Sequence, residues 1–127
     1  MQKNKFRYTK ALLLIICLIS YVNAPAQPRT DSFRVLGFYT AKNDAAHISF
    51  VHEANRWFTE MAIRYHFRYD STADWTKLND TVLAQYRVVL FLDTRPEDAA
   101  QRAAFETYMK NGGAWMGFHF SAFALTP

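Results

Sequence analysis

Two histidines carry the chemistry that this sequence can offer. His119 closes the run Asn111 to His119, in which Gly112 and Gly113 can stop a helix, Ala114 to Met116 is apolar enough for a central strand, and Gly117 lets the backbone turn. His47 opens a long helical pattern after another strand-like run. An imidazole, with a reference pKa of about 6.5, can give or take a proton near neutrality, so both are candidate catalytic groups. Tyr39, Thr40, Asp93, Arg95 and Ser121 lie at or just past the ends of strand-like runs and are candidate ligand-binding groups. Tyrosine can stack on a flat ligand face, arginine can hold a carboxylate or a hydroxyl, and Asp93 can bind hydroxyls or orient His119. Each also has a plainer reading. His119 can close its turn on a backbone carbonyl, His47 can be a surface cap residue, Asp93 before Thr94 and three residues ahead of Pro96 is ordinary turn chemistry, and Arg95 can be a solvated loop residue.

The elements that must position these groups alternate between strand and helix. Arg34 to Thr40 reads as a first strand, followed by a polar loop at Ala41 to Asp44. From Ala45 to His66, Ile48, Val51, Ala54, Phe58, Met61, Ala62 and Tyr65 recur at helical spacing, and Phe50 and Trp57 widen the stripe so that more than one face is expected to be buried. Phe67 to Tyr69 is a short second strand that Asp70-Ser71-Thr72 is expected to break. Residues 74 to 80 read mostly as loop, with one helical turn over Thr81 to Tyr86 capped by Asn79 or Asp80. Arg87 to Asp93, with five consecutive apolar residues, is the clearest strand. Pro96 then stands near the first position of a helix, with Glu97 and Asp98 in its first turn, running to about Lys110 with Ala100, Ala103, Ala104, Phe105, Tyr108 and Met109 inward. Four parallel strands joined by helices make an α/β, flavodoxin-like half-sheet, and in such sheets ligands collect beyond the carboxyl ends of the strands.

The amino terminus obscures the composition. Lys3, Lys5, Arg7 and Lys10 precede the apolar run Ala11 to Ile19, and Ala24-Pro25-Ala26 offers a cleavage site, so residues 1–26 read as a secretory signal peptide and 27–32 as a polar leader. The apolar run is about half of the roughly 20 residues that a membrane span needs, and Cys17 follows Ile16 rather than the small residue of a lipoprotein signal, so no stable membrane anchor is expected after cleavage. Export to the periplasm or beyond follows as the expectation. The chain has fifteen basic and eleven acidic residues. Four of the basic ones fall in the signal, which leaves eleven of each sign and no basic stripe for nucleic acid. The one cysteine also falls in the signal, so the mature chain has neither a disulfide nor a thiol nucleophile.

No G-x-G-x-x-G follows the first strand and no G-x-S-x-G frames Ser121, so neither a dinucleotide cofactor nor a serine hydrolase is expected. His47, Asp93 and His119 together would suit an open metal site, yet no short ligand spacing supports one, and no metal or other cofactor is expected. His52 and His66 fall on or at the end of the long helix, and His52, beside the apolar stripe, reads as a packed or half-exposed residue. Trp57, Trp75 and Trp115 serve burial first, and Trp75, in a loop, is the one that could also reach a carbohydrate.

The segment Gln101 to Gly113, followed by Trp115-Met116-Gly117-Phe118-His119, resembles the ThuA-like domain of the trehalose-utilisation family. His47 after the first strand and the Val88 to Asp93 strand with its FLD ending are similar to further elements of that family. The resemblance runs from about Phe33 to the end, so residues 33–127 read as an incomplete ThuA-like domain matching the first half of the family's usual unit. It implies a class I glutamine amidotransferase-like, three-layer fold with a parallel sheet. In that fold the corresponding strand exit is a G-x-C-x-G elbow, where His119 replaces the cysteine and Ser121 the second glycine. An imidazole cannot form the thioester of glutamine hydrolysis, so glutaminase activity is not expected. The family's link to disaccharide metabolism implies a sugar or sugar-derived small molecule as partner. The contrasting reading is a non-catalytic carbohydrate-binding or interaction domain; the oligomeric state is left open.

Overall fold

A computed structural model describes residues 32–42 and 44–122. The expected signal, the leader up to residue 31 and the tail 123–127 lie outside the described residues. No helix among the described residues is long and apolar enough to cross a membrane.

Four strands, β1 (Arg34–Phe38), β2 (Arg68–Thr72), β3 (Val88–Phe91) and β4 (Ala114–Gly117), form one parallel sheet in the order β2-β1-β3-β4. The helices between them are α1 (Ala45–Tyr65), α2 (Asp80–Leu83) and α3 (Ala99–Lys110), with 3₁₀ turns at Trp75–Lys77 and His119–Ala122. The period-two alternation of strands sorts the core into two halves. Leu36, Phe38, Val89 and Phe91 pack with Leu78, Leu83, Ala104 and Tyr108 on one side. Val35, Leu90 and Leu92 pack with Val51 and Ala54 of α1 on the other. The α/β architecture with a parallel sheet is therefore as the alternating pattern implied, and its three layers as the resemblance implied.

Local chemistry explains the boundaries. Asp44 caps α1, and His66 ends it in a left-handed conformation at φ 58°, its N–H returning to the carbonyl of Ala62. In α1, Val51, Ala54 and Ala62 are buried, but Phe50 and Trp57 are 39% and 53% exposed, so the helix does not bury the wider stripe expected among the described residues. β2 extends through Asp70-Ser71-Thr72 instead of breaking there. Its polar residues are held by pairing in register with β1, from Arg34 opposite Arg68 to Phe38 opposite Thr72, and Asp70 finds Arg34 at 3.0 Å. α3 starts later than Pro96 implied. Asp98 is the cap, accepting from the N–H groups of Ala100 and Gln101, and Pro96 and Glu97 precede the helix. Of its expected inward side, Ala104 and Tyr108 are buried and Phe105 packs at the margin, while Ala100, Ala103 and Met109 are exposed. β4, apolar enough for a central position, is at the sheet's edge among the described residues, with Met116 50% exposed. β1 is the strand inserted between β2 and β3, and β4 pairs with β3 alone.

Candidate functional site

The carboxyl ends of β1, β3 and β4 lie side by side, and the chain leaving each of them is tied to its neighbour. The N–H of Leu92 donates to the carbonyl of Phe38 at 2.9 Å, and that of Phe118 donates to Phe91 at 3.0 Å. Asp93, fully buried, binds the exit of β1. Its oxygens accept the Thr40 N–H at 2.8 and 3.1 Å, the Thr40 hydroxyl at 2.8 Å and the Ala41 N–H at 2.7 Å. Ala41 has φ 51°, a left-handed conformation that costs a residue with a Cβ about 1 kcal/mol, and the buried carboxylate fixes it there.

The turn set by this clamp delivers Asp44 to the start of α1. Oδ1 of Asp44 accepts the N–H groups of Ala46 and His47 at 2.9 and 3.1 Å, while Oδ2 lies 2.9 Å from Nδ1 of His47. The N–H of His47, then its imidazole, hold the Asp44 carboxyl below the usual carboxylate range, with partial burial opposing them. The imidazole is partly shielded, its side chain 22% exposed. One turn further along, Phe50 meets Phe118 with ring centroids 5.5 Å apart, and Phe58 meets Phe118 at 6.2 Å. The first turns of α1 and the exit of β4 are thereby joined at the same sheet edge. His119 opens the 3₁₀ turn His119–Ala122 there, and its imidazole lies outside the described residues' side chains.

The other expected binding groups have structural partners. Thr40 is held by Asp93, as above, and the Ser121 hydroxyl, buried, donates to the carbonyl of Phe91 at 2.9 Å. Tyr39 packs beside Val35, Leu90 and Leu92 at the margin of that core. Arg95 places its guanidinium 5.9 Å from the Phe120 ring. Trp75 serves burial, its first reading, from a 3₁₀ turn and not from a loop free to reach a carbohydrate. It packs 5.2 Å from Phe38 and 5.3 Å from Phe91, and its indole N–H donates to the carbonyl of Tyr39. His52 is exposed, which corrects its reading as packed or half-exposed, and His66 is exposed too.

Asp44 is the group that sequence reading did not select. The signal was an Asp-x-x-His at a helix start, which puts the histidine at the position from which a capping-box side chain reaches back to the cap.

A groove of about 930 Å³ opens at the opposite, amino end of the strands, between the ends of α2 and α3. The Arg34 guanidinium there is paired with Asp70 at 3.0 Å, Gln85 at 3.2 Å and Tyr86 at 2.9 Å, and it lies over the Tyr86 ring. These contacts use the two terminal nitrogens of Arg34, whereas its buried Nε has no hydrogen-bond partner.

Residues 34–126 match the family model described as ThuA, trehalose utilisation. No curated protein matches. The crystal structure of a ThuA-like protein from Bacteroides uniformis ATCC 8492 is similar to this chain at 36% identity, with a TM-score of 0.71, over 80% of this chain and 42% of that one. The chain thus spans less than half the length of that relative.

Proposed function

The chain belongs to the ThuA, trehalose-utilisation, family, and from that premise we propose that it binds or transforms a sugar-derived small molecule at the carboxyl edge of its sheet. The observation that carries this reading is the imidazole of His47, held by Asp44 2.9 Å away, on a helix packed through Phe50 and Phe58 against the exit of β4. His47 and His119 form the polar centre. In this reading the protein is not a glutaminase, since His119 stands where the elbow thiolate would be, and it acts after export directed by residues 1–26.

A second reading has its own support. Thr40, Asp93 and Ser121 all direct their side-chain oxygens inward to backbone or to each other, which suits a domain that keeps the scaffold and binds carbohydrate without turnover. Trehalose is the first probe. His47→Ala and His119→Ala or Asn are expected to abolish its conversion with little loss of affinity under the first reading, and to change affinity or stability alone under the second.

A further inference from the structure

We propose that the open edge of β4 binds β4 of a second copy of this chain, antiparallel and centred on Trp115, so that the two sheets continue into one. The surface is separate from the ligand reading and makes no use of His47 or His119.

Among the described residues β4 is paired on one side only, with β3. The N–H groups of Ala114 and Phe118 donate to the carbonyls of Arg87 and Phe91. Backbone groups alternate in direction along a strand, so Ala114, Met116 and Phe118 turn theirs toward β3, while the N–H and C=O of Trp115 and Gly117 point out of the sheet. Native edges are blunted by charge, proline or a bulge. Residues 112–118 contain no charge and no proline, and the pairing of β4 with β3 runs in unbroken register. Trp115 and Met116 are 36% and 50% exposed. What such an edge fits is another apolar strand.

The pattern of β4 is complementary to itself. A two-fold axis normal to the sheet through Trp115 lays like face beside like face. Trp115 then stands opposite Trp115, as the pair that exchanges both N–H···O bonds. Gly117 stands opposite Gly113, whose N–H is already given to the Tyr108 carbonyl and whose C=O accepts the Gly117 N–H. On the α1 face the small Ala114 meets the long Met116, twice. On the other face the Trp115 ring lies over Gly117 and the Tyr108 ring over Gly113, where an added Cβ would come within 2.4 and 2.3 Å of them. The pairing therefore brings Trp115 of each copy beside Tyr108 of the other. Centring it on Met116 would set Met116 against itself and Ala114 against Phe118, whose ring is already held by Phe50 and Phe58.

One short strand covers less than the roughly 800 Å² per partner of a standard interface, so a weak dimer is expected, with a dissociation constant of about 10 μM. Sedimentation of the chain over a concentration series reads it. Ala114→Lys with Met116→Lys places like charges directly opposite at two points and is expected to weaken the dimer about tenfold or more. Ala114→Glu with Met116→Lys places opposite charges at the same points and is expected to stay within about threefold of the wild type. Circular dichroism melting confirms that both variants fold. A wild type still monomeric at about 500 μM overturns self-pairing and leaves the edge to a strand of different sequence. A dimer that both variants leave intact lies elsewhere on the chain, and one that both disrupt equally is not centred on Trp115; either result overturns the proposal.

Discussion

Asp93 and Thr40, 53 residues apart, share three hydrogen bonds: the Thr40 N–H to both carboxylate oxygens and its hydroxyl to Oδ2. Asp93 is fully buried, so its removal leaves the amides of Thr40 and Ala41 without their acceptor. Asp93→Ala is expected to lower stability by about 2–4 kcal/mol, and Asp93→Asn by roughly half of that, since one oxygen survives. Urea unfolding with an unchanged slope would establish this. A loss below about 0.5 kcal/mol would sink the clamp.

Acid sensitivity should trace in part to Asp70. Burial pushes its carboxyl up, but the Arg34 hydrogen bond, the Tyr86 hydroxyl and the Arg68 charge outweigh that and hold it below the usual range. A depressed carboxyl contributes stability above its unfolded pKa of about 4 and loses it as pH falls through the lower folded value. The stability gap between wild type and Asp70→Asn should therefore be widest at neutral pH, at about 1 kcal/mol after allowing for solvent screening, and close under strong acid. Chemical denaturation at a series of pH values reads the gap directly, and a gap that is constant with pH contradicts the assignment.

Gly37 and Tyr69 should be energetically coupled. A Cβ at Gly37 would come within 2.4 Å of the Tyr69 hydroxyl, which donates to Asn55 at 2.8 Å. Gly37→Ala is expected to cost about 1–3 kcal/mol. Tyr69→Phe costs about 1 kcal/mol for the lost hydrogen bond yet removes the clashing atom, so the double variant should be more stable than the sum of the two losses implies. Strict additivity in the cycle would exclude the contact.

Trp75→Ala should destabilise the chain by about 3 kcal/mol by emptying the space against Phe38 and Phe91, with trehalose affinity unchanged among the molecules that remain folded. Calorimetry beside a binding titration separates the two effects. A selective loss of affinity would restore Trp75 to a ligand role.

The pattern of apolar residues made much of this architecture readable. β3, inside the five-residue apolar run Val88 to Leu92, and α1, with its three- and four-residue repeat, announce themselves. The extent of β2 did not, because Arg68 to Thr72 is polar and is held as a strand by partners far away in sequence, Arg34 above all. The start of α3 was misplaced because Pro96 suits a first helical turn, yet the Asp98 side chain captures the amides two residues later. At the edge, the exits of β1 and β3 were foreseeable, but the inward turn of Thr40 and Ser121 was not. Hydroxyls flanking strands look alike in sequence whether they face a ligand or a carbonyl, and only the tertiary pairing decides.

Arg34 and Thr40 bracket β1, and each fastens it to a different neighbour: the first to Asp70 of β2, the second to Asp93 beyond β3. Sliding β1 by two residues would keep its apolar faces inward and so escape the usual hydrophobic penalty, but it would separate both pairs at once. The middle of the sheet therefore has a single permitted alignment, checked at its two tips, and misthreaded chains are rejected by charge where grease alone would have tolerated them.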